Sequence, residues 1–311
     1  MSDQPKFAVL GDSNFYRGVS DDRLAQIRRL EAATNVVPVA SVIVGLELCP
    51  LLVSPEARTK ARGVGAIRRF AAHCFSRPCS LFDTGFAEDP MMVLGSQLSK
   101  QPLTYSLELA SVMRSMIEDS VRFTELPHNL AVSLTETLRI AEGYRDQFEE
   151  HFVAMLRRLR RSFGLDPENP SDFPPNQRPT VDEFLAGPML GNILSEGLSM
   201  SVANEMGLEL DGSQRSAWSR AFAAQVPAVI EFLRRIATDV LVGGARPTKH
   251  ANSFFDARLA GFASPALRVL GAPTIVVTDD QRVLAAVSAC HATHRAMTVD
   301  DYVRFLAGLE Q

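Results

Sequence analysis

The chain has 311 residues, 46% of them hydrophobic, and a formal net charge of −4 from 36 acidic and 32 basic side chains. That length suits one large or two smaller packed cores, and the negative balance excludes a protein that coats nucleic acid by bulk electrostatics while leaving room for a local basic patch. No apolar run approaches the roughly 20 residues of a membrane span, so the expectation is a soluble, cytoplasmic chain with no membrane partner.

From the N-terminus, Phe7-Ala8-Val9-Leu10 reads as a short buried strand and Gly11-Asp12-Ser13-Asn14 as the turn that ends it. Residues 21–33 carry helical spacing through Leu24, Ile27 and Leu30. Residues 36–39 look extended, with Pro38 marking a sheet edge or a strand start, and Ser41 is placed to cap a helix running to about residue 52. An arginine-rich helix is expected over 55–76. Between about 80 and 245 no strand is expected. Residues 105–163 show helical periodicity, as in Phe148, Phe152, Leu156, Leu159 and Phe163, and should form at least two helices broken near Pro127. A loop with five prolines follows over 164–179, then helix over 180–242, with Ser213 as an N-cap and Pro227 as a break. At the end a helix over about 253–263 precedes the strand-like run Thr274-Ile275-Val276-Val277, which closes at Thr278-Asp279-Asp280.

Alternating strands and helices at both ends of the chain imply an α/β fold, a parallel sheet covered by helices. Residues 1–79 and 246–311 together make about 145 residues, an ordinary domain size, and 80–245 would be a large all-α insertion between them. The cysteines Cys49, Cys74, Cys79 and Cys290 form no C-x-x-C pair and read as reduced core thiols. Neither Cys290 with His291 and His294 nor His73 beside Cys74 has the second ligand pair that a zinc site needs.

Asp12 and the pair Asp279-Asp280 follow expected buried strands, at the edge where open parallel sheets bind ligands. Capping a turn or a helix is the other use for each. Glu47 is the only charge between residues 36 and 53, among Val42, Ile43, Leu46, Cys49 and Leu52. Buried there it needs a partner, either an arginine between residues 58 and 69 or a cation shared with other carboxylates. Asp256, after Phe254-Phe255, is a second acid on a packed helix. Carboxylates gathered within a few ångströms stay partly protonated unless a cation neutralises them, and Mg²⁺ or Mn²⁺ suits such oxygen donors.

These residues resemble a known family. Asp12-Ser13-Asn14 after the first strand is similar to the D-[ST]-N opening of PIN domains, and Ser41-Val-Ile-Val-Gly-Leu-Glu47 to their serine-capped glutamate helix. Asp256-Ala-Arg-Leu-Ala-Gly-Phe-Ala263 resembles the helix of the third acid, and Val277-Thr278-Asp279-Asp280 the closing v-T-x-D, all in the family's order. The resemblance covers about the first fifty and last sixty residues and leaves the helical middle unmatched. It implies a three-layer, Rossmann-like α/β fold and a nuclease hydrolysing phosphodiesters, most often in RNA, with single-stranded DNA as the other substrate. Asp12, Glu47, Asp256 and Asp280 would hold one or two Mg²⁺ or Mn²⁺ ions, Asp279 competing for the fourth place. One ion would acidify a water for in-line attack and a second would stabilise the leaving oxygen. Ser13 and Thr278 would orient ligands, and Asn14 would tie down the turn.

Arg246, Lys249 and His250, just before the third-acid helix, are candidate phosphate contacts, and Asn252 is a cap or a polar group near the metal's water shell. Arg157, Arg158, Arg160 and Arg161 make a basic helical face. The insertion would cover the site, recognise substrate, self-associate or bind a protein partner. Two other readings stand beside this one. Gly11-Asp12-Ser13 is similar to the GDS block of SGNH esterases, with Ser13 as nucleophile, although the histidine base and oxyanion element such an enzyme needs are missing. A PIN-like scaffold without catalysis would keep the fold, with no need to keep all four acids.

Overall fold

A computed structural model describes residues 4–54, 56–75, 86–102, 149–168, 178–250, 253–290 and 295–310, with short pieces between 113 and 147. The architecture is α/β, predominantly helical, around a mostly parallel sheet. Strand β1 (Phe7–Gly11) lies between β2 (Val36–Pro38) and β6 (Ala272–Val277), parallel to both. Strand β6 also pairs in parallel with β7 (Ala296–Met297) and antiparallel with the short β5 (Arg268–Val269). Pro38 sits in the edge strand β2, where its missing N–H costs no ladder bond. A separate parallel pair joins β3 (Ala40–Ser41) to β4 (Phe86–Ala87). The expectation of no strand between 80 and 245 therefore misses β4, which at two residues carries no periodicity to detect.

Both faces of the sheet are buried. Val9, Ile275 and Val277 enter one apolar cluster, with Phe15, Tyr16, Ile27, Phe70 and Tyr302. Ala8, Leu10 and Val276 enter another, with Leu259, Phe262 and Leu267. The strands therefore read as continuous apolar runs, because alternate side chains have a hydrophobic destination on each side.

Helix α1 (Ser13–Gly18) follows β1 directly, and α2 (Asp21–Thr34) is capped by Ser20. Helix α3 (Val42–Leu48) is capped as expected by Ser41, whose Oγ accepts from the Ile43 N–H at 3.2 Å. It stops short of residue 52: Pro50 has no N–H to continue the ladder, and Cys49–Val53 tightens into a 3₁₀ turn. Helix α4 (Ala57–Cys74) packs through Gly63, Ala66, Ile67 and Phe70.

The helical middle contains α5 (Pro90–Ser99), α6 (Ala154–Ser162), α7 (Arg178–Ala186), α8 (Pro188–Glu205), α9 (Gly212–Gln225) and α10 (Pro227–Leu241). Pro227 begins α10, as a residue without an N–H tolerates at a first turn. The middle shares its core with the end of the chain. Phe222, Phe232, Ile236 and Val240 cluster with Ala257 and Ala260 of α11 (Ser253–Gly261) and with Val283, Ala286 and Val287 of α12 (Gln281–Cys290). Helix α13 (Val299–Glu310) closes the other side against α2. No described helix is long and apolar enough to cross a membrane.

Two expectations are corrected here. Asp211, not Ser213, caps α9, in a capping box with Gln214. The Asp211 carboxylate accepts from the N–H groups of both Ser213 and Gln214. Asp211→Ala should lower the urea midpoint at unchanged m-value, while Ser213→Ala should lower it less. Arg160 leaves the basic face: it is buried, and its guanidinium donates to the carbonyls of Val240 at 2.5 Å and Asp166 at 2.7 Å. Arg157 pairs with Glu168, which leaves Arg158 and Arg161 as the exposed remainder.

Candidate active site at the strand ends

The register Leu10↔Val276 and Gly11↔Val277 brings β1 and β6 to a common end, so the next residues, Asp12 and Thr278, become neighbours across 266 positions of sequence. The Asp12 N–H donates to the Val277 carbonyl at 3.0 Å. Asp12 Oδ1 caps α1 by accepting from the Phe15 N–H at 2.5 Å, and Oδ2 accepts from the Thr278 hydroxyl at 2.6 Å. Thr278 Oγ1 in turn accepts from the Asp280 N–H at 3.0 Å. Asp280 Oδ1 then accepts from the N–H groups of Arg282 and Val283 in the first turn of α12. One hydroxyl thus joins the two strand-end turns, and both Asp12 and Asp280 serve as helix caps.

Glu47 and Asp256 approach this pair from α3 and α11. Burial raises the Asp12 carboxyl above the ordinary range, opposed by its bonds to Thr278 and Phe15 and reinforced by Asp279 and Asp280. Burial and then the charge of Asp256 push Glu47 to about 8, with Asp12 adding to the rise and Arg17 and the Ser13 hydroxyl opposing it. Burial and then Asp280 push Asp256 to about 7, with Arg282 opposing and Asp12 adding. Asp12, Glu47 and Asp256 each feel at least one other acid of the four. Four carboxylates from four separate elements thus share one electrostatic neighbourhood.

Arg282 lies within it as well, its Nη2 3.4 Å from Asp280 Oδ2 and 3.7 Å from Asp256 Oδ2. Its Nη1 is 3.5 Å from Nδ1 of the buried His250, so His250 stands behind the arginine. Asp279 is exposed, whereas Asp280 is partly buried and bonded into the turn. Asn14 is exposed, and the turn is tied by Asp12 and Thr278 instead. Arg246 is exposed, while the Lys249 side chain, Asn252, Cys79, His291 and His294 lie outside the described residues, as does the region around Pro127.

The donor set suits a hard divalent ion, being entirely carboxylate oxygen. The spacing falls short: among the described residues no three His, Cys, Asp or Glu side chains come close enough together to hold one ion. Arg282 occupies the position of counter-charge between Asp256 and Asp280.

No family model, curated protein or solved structure matches this chain.

Sequence reasoning missed Arg282. Its signal was a cation in the first turn of a helix, where the macrodipole disfavours it unless an acid lies beside it. A buried polar network behind α1 was also missed. His73 Nε2 lies 2.9 and 3.1 Å from the two oxygens of Glu31, and His73 Nδ1 is 3.0 Å from the Tyr16 hydroxyl. The Tyr302 hydroxyl donates to Glu31 at 2.8 Å. Glu31 was legible as an acid in the apolar register of α2, after Leu24 and Ile27 and before Thr34.

Proposed function

We propose that this protein is a divalent-metal-dependent phosphodiesterase of the PIN-like kind, acting on RNA, in a three-layer α/β domain that carries a helical insertion. The observation that supports it is the gathering of Asp12, Glu47, Asp256 and Asp280 at the strand-end edge of the sheet, two of them raised to about 8 and 7 by burial and mutual repulsion. Such an excess of acid is relieved by a cation, and a bound Mg²⁺ or Mn²⁺ would supply Lewis-acid polarisation of the phosphate and acidification of water. The chain's own contribution is positional. Thr278 fixes the Asp12 carboxylate in one orientation, Asp280 is held by backbone donors, and Glu47 and Asp256 exchange protons near neutral pH. Entry of a cation requires Arg282 to leave Asp256 and Asp280, whose contacts at 3.7 and 3.4 Å are loose ones.

The direct test is incubation of purified protein with a mixed single-stranded and structured RNA pool and Mn²⁺ or Mg²⁺, with EDTA as control. Ion-dependent cleavage is expected, and its absence from folded protein would overturn the reading. The proton balance offers a second test. Because the folded values of Glu47 and Asp256 lie above their ordinary 4.5 and 3.8, their contribution to stability is full below those values. It is lost as pH rises through about 7 and 8. An ion that binds the ionised forms restores it, so Mn²⁺ should raise Tm more at pH 8 than at pH 6 and should release protons on binding.

Arg282 and the missing three-ligand spacing favour a second reading, a PIN-like binding scaffold in which the arginine is the permanent counter-ion. That reading expects no Tm response to Mn²⁺ at either pH. The Ser13 hydroxyl serves Glu47 rather than a histidine base, which gives the esterase reading no support.

A further inference from the structure

In a chain with more acids than bases, Ala57–Cys74 carries Arg58, Lys60, Arg62, Arg68 and Arg69 and no acid. At 100° per residue Arg58, Arg62 and Arg69 fall within about 40° of one another, one row along a flank of α4 roughly 16 Å long. Arg69 shows which way the row faces. Its Nη1 donates to the Tyr16 carbonyl of α1 at 2.7 Å and its Nε pairs with Asp21 at 2.9 Å. Helix α1 places the exposed Arg17 beside the same seam.

The other end of the row is located by Gly63. A Cβ there would lie 2.4 Å from the Leu51 Cβ, so α4 is seated directly on the 3₁₀ turn that follows the Glu47 helix. Arg58 and Arg62, both on the N-terminal side of that close approach, are exposed. Arg17 itself lies in the last turn of α1, the helix that Asp12 caps. The α1–α4 seam therefore joins the helix that Asp12 caps to the turn that follows the Glu47 helix.

We infer that Arg17, Arg58 and Arg62 form a track for the phosphate backbone of single-stranded nucleic acid, leading it along the α1–α4 seam to the carboxylates. This rests on the phosphodiesterase reading for its direction, but binding itself needs neither ion nor cleavage. A single row of separated guanidinium groups follows one flexible strand rather than the two backbones of a duplex. Met189 is the only large hydrophobic side chain exposed among the described residues, so the described seam offers a strand charge rather than an aromatic face.

The test is fluorescence anisotropy of a labelled 20-nucleotide oligouridine with the full chain in EDTA, across a salt series. Binding should weaken with salt. The triple variant Arg17→Gln, Arg58→Gln, Arg62→Gln should lose at least about tenfold in affinity at low salt, with the log–log salt slope reduced by about 2. A matched triple, Arg158→Gln, Arg215→Gln, Arg220→Gln, makes the same change in net charge at exposed positions elsewhere and should stay within about twofold of wild type. Lysine at the three track positions should retain binding, because phosphate contact there requires charge. Equal losses in both glutamine triples, no loss in the first, tighter binding of a duplex of equal length, or no binding by wild type would each overturn the track. Binding that obeys these rules without cleavage in Mn²⁺ would uphold the track and remove the phosphodiesterase reading.

Discussion

Asp12→Asn is expected to reduce ion-dependent RNA cleavage by at least about 100-fold while costing the fold only about 1 kcal/mol. Substitution of groups one shell away from a metal typically costs 10–100-fold, so a ligand should lie at or beyond the upper end. The small structural cost follows from the bonds that survive. Asparagine caps a helix as well as aspartate does, so the Phe15 N–H keeps its acceptor. The new amide can donate to Thr278 Oγ1, which has a second lone pair besides the one given to the Asp280 N–H. Removing the Asp12 charge should also bring Glu47 and Asp256 down toward ordinary carboxylate values, since Asp12 raises both. The check is cleavage rate together with the urea midpoint and the Mn²⁺-induced rise in Tm. Full activity in a folded Asp12→Asn protein would exclude the site, whereas loss of activity with a collapsed midpoint would only show that the turn had failed.

The largest effect on stability should come from Glu31. This carboxylate and His73 are each about 1% exposed, and with Tyr16 and Tyr302 they tie α2, α4, α1 and α13 together. Burial draws the His73 pKa down, but Glu31, with a further contribution from Cys74, more than reverses this and raises it from 6.5 to about 10. A folded value above the ordinary one means that the pair's contribution is complete below about pH 6.5 and is lost as the pH climbs toward 10. Breaking such a buried pair from one side typically costs about 3–5 kcal/mol. Glu31→Gln should show that loss at pH 6 and a smaller one at pH 10, so that the wild-type and variant curves of stability against pH converge. Urea titrations at pH 6, 8 and 10 measure it directly, and parallel curves would mean that His73 is not held charged by Glu31.

The strand–helix grammar of the two ends was legible because its signals are local. Apolar runs at Val9 and Ile275 and a serine before α3 mark buried elements without reference to the rest of the chain, and the lone charge Glu47 in its apolar stretch marks a half-buried acid. The end of α3 was misread, since Pro50 stops the helix at Leu48, before the expected residue 52. Where competing local signals existed, the reading erred: Asp211 and Ser213 are both good caps, and only the backbone path through Gly212 shows which one is in position.

Arg160 could not be read from its neighbours. In sequence it is one of four arginines on a helix, and it becomes a buried strut only because α10 passes close enough to offer the Val240 carbonyl. The site divides in the same way. The amino-acid sequence by itself determined which residues carry negative charge at strand ends and on packed helices, since burial of an acid leaves a local mark in the pattern around it. The tertiary structure alone decided that Asp12 meets Thr278, that Arg282 stands between Asp256 and Asp280, and that Glu31 finds His73. These pairings depend on strand register and helix packing, which join positions up to 266 residues apart, and no periodicity along the chain encodes which distant groups will meet.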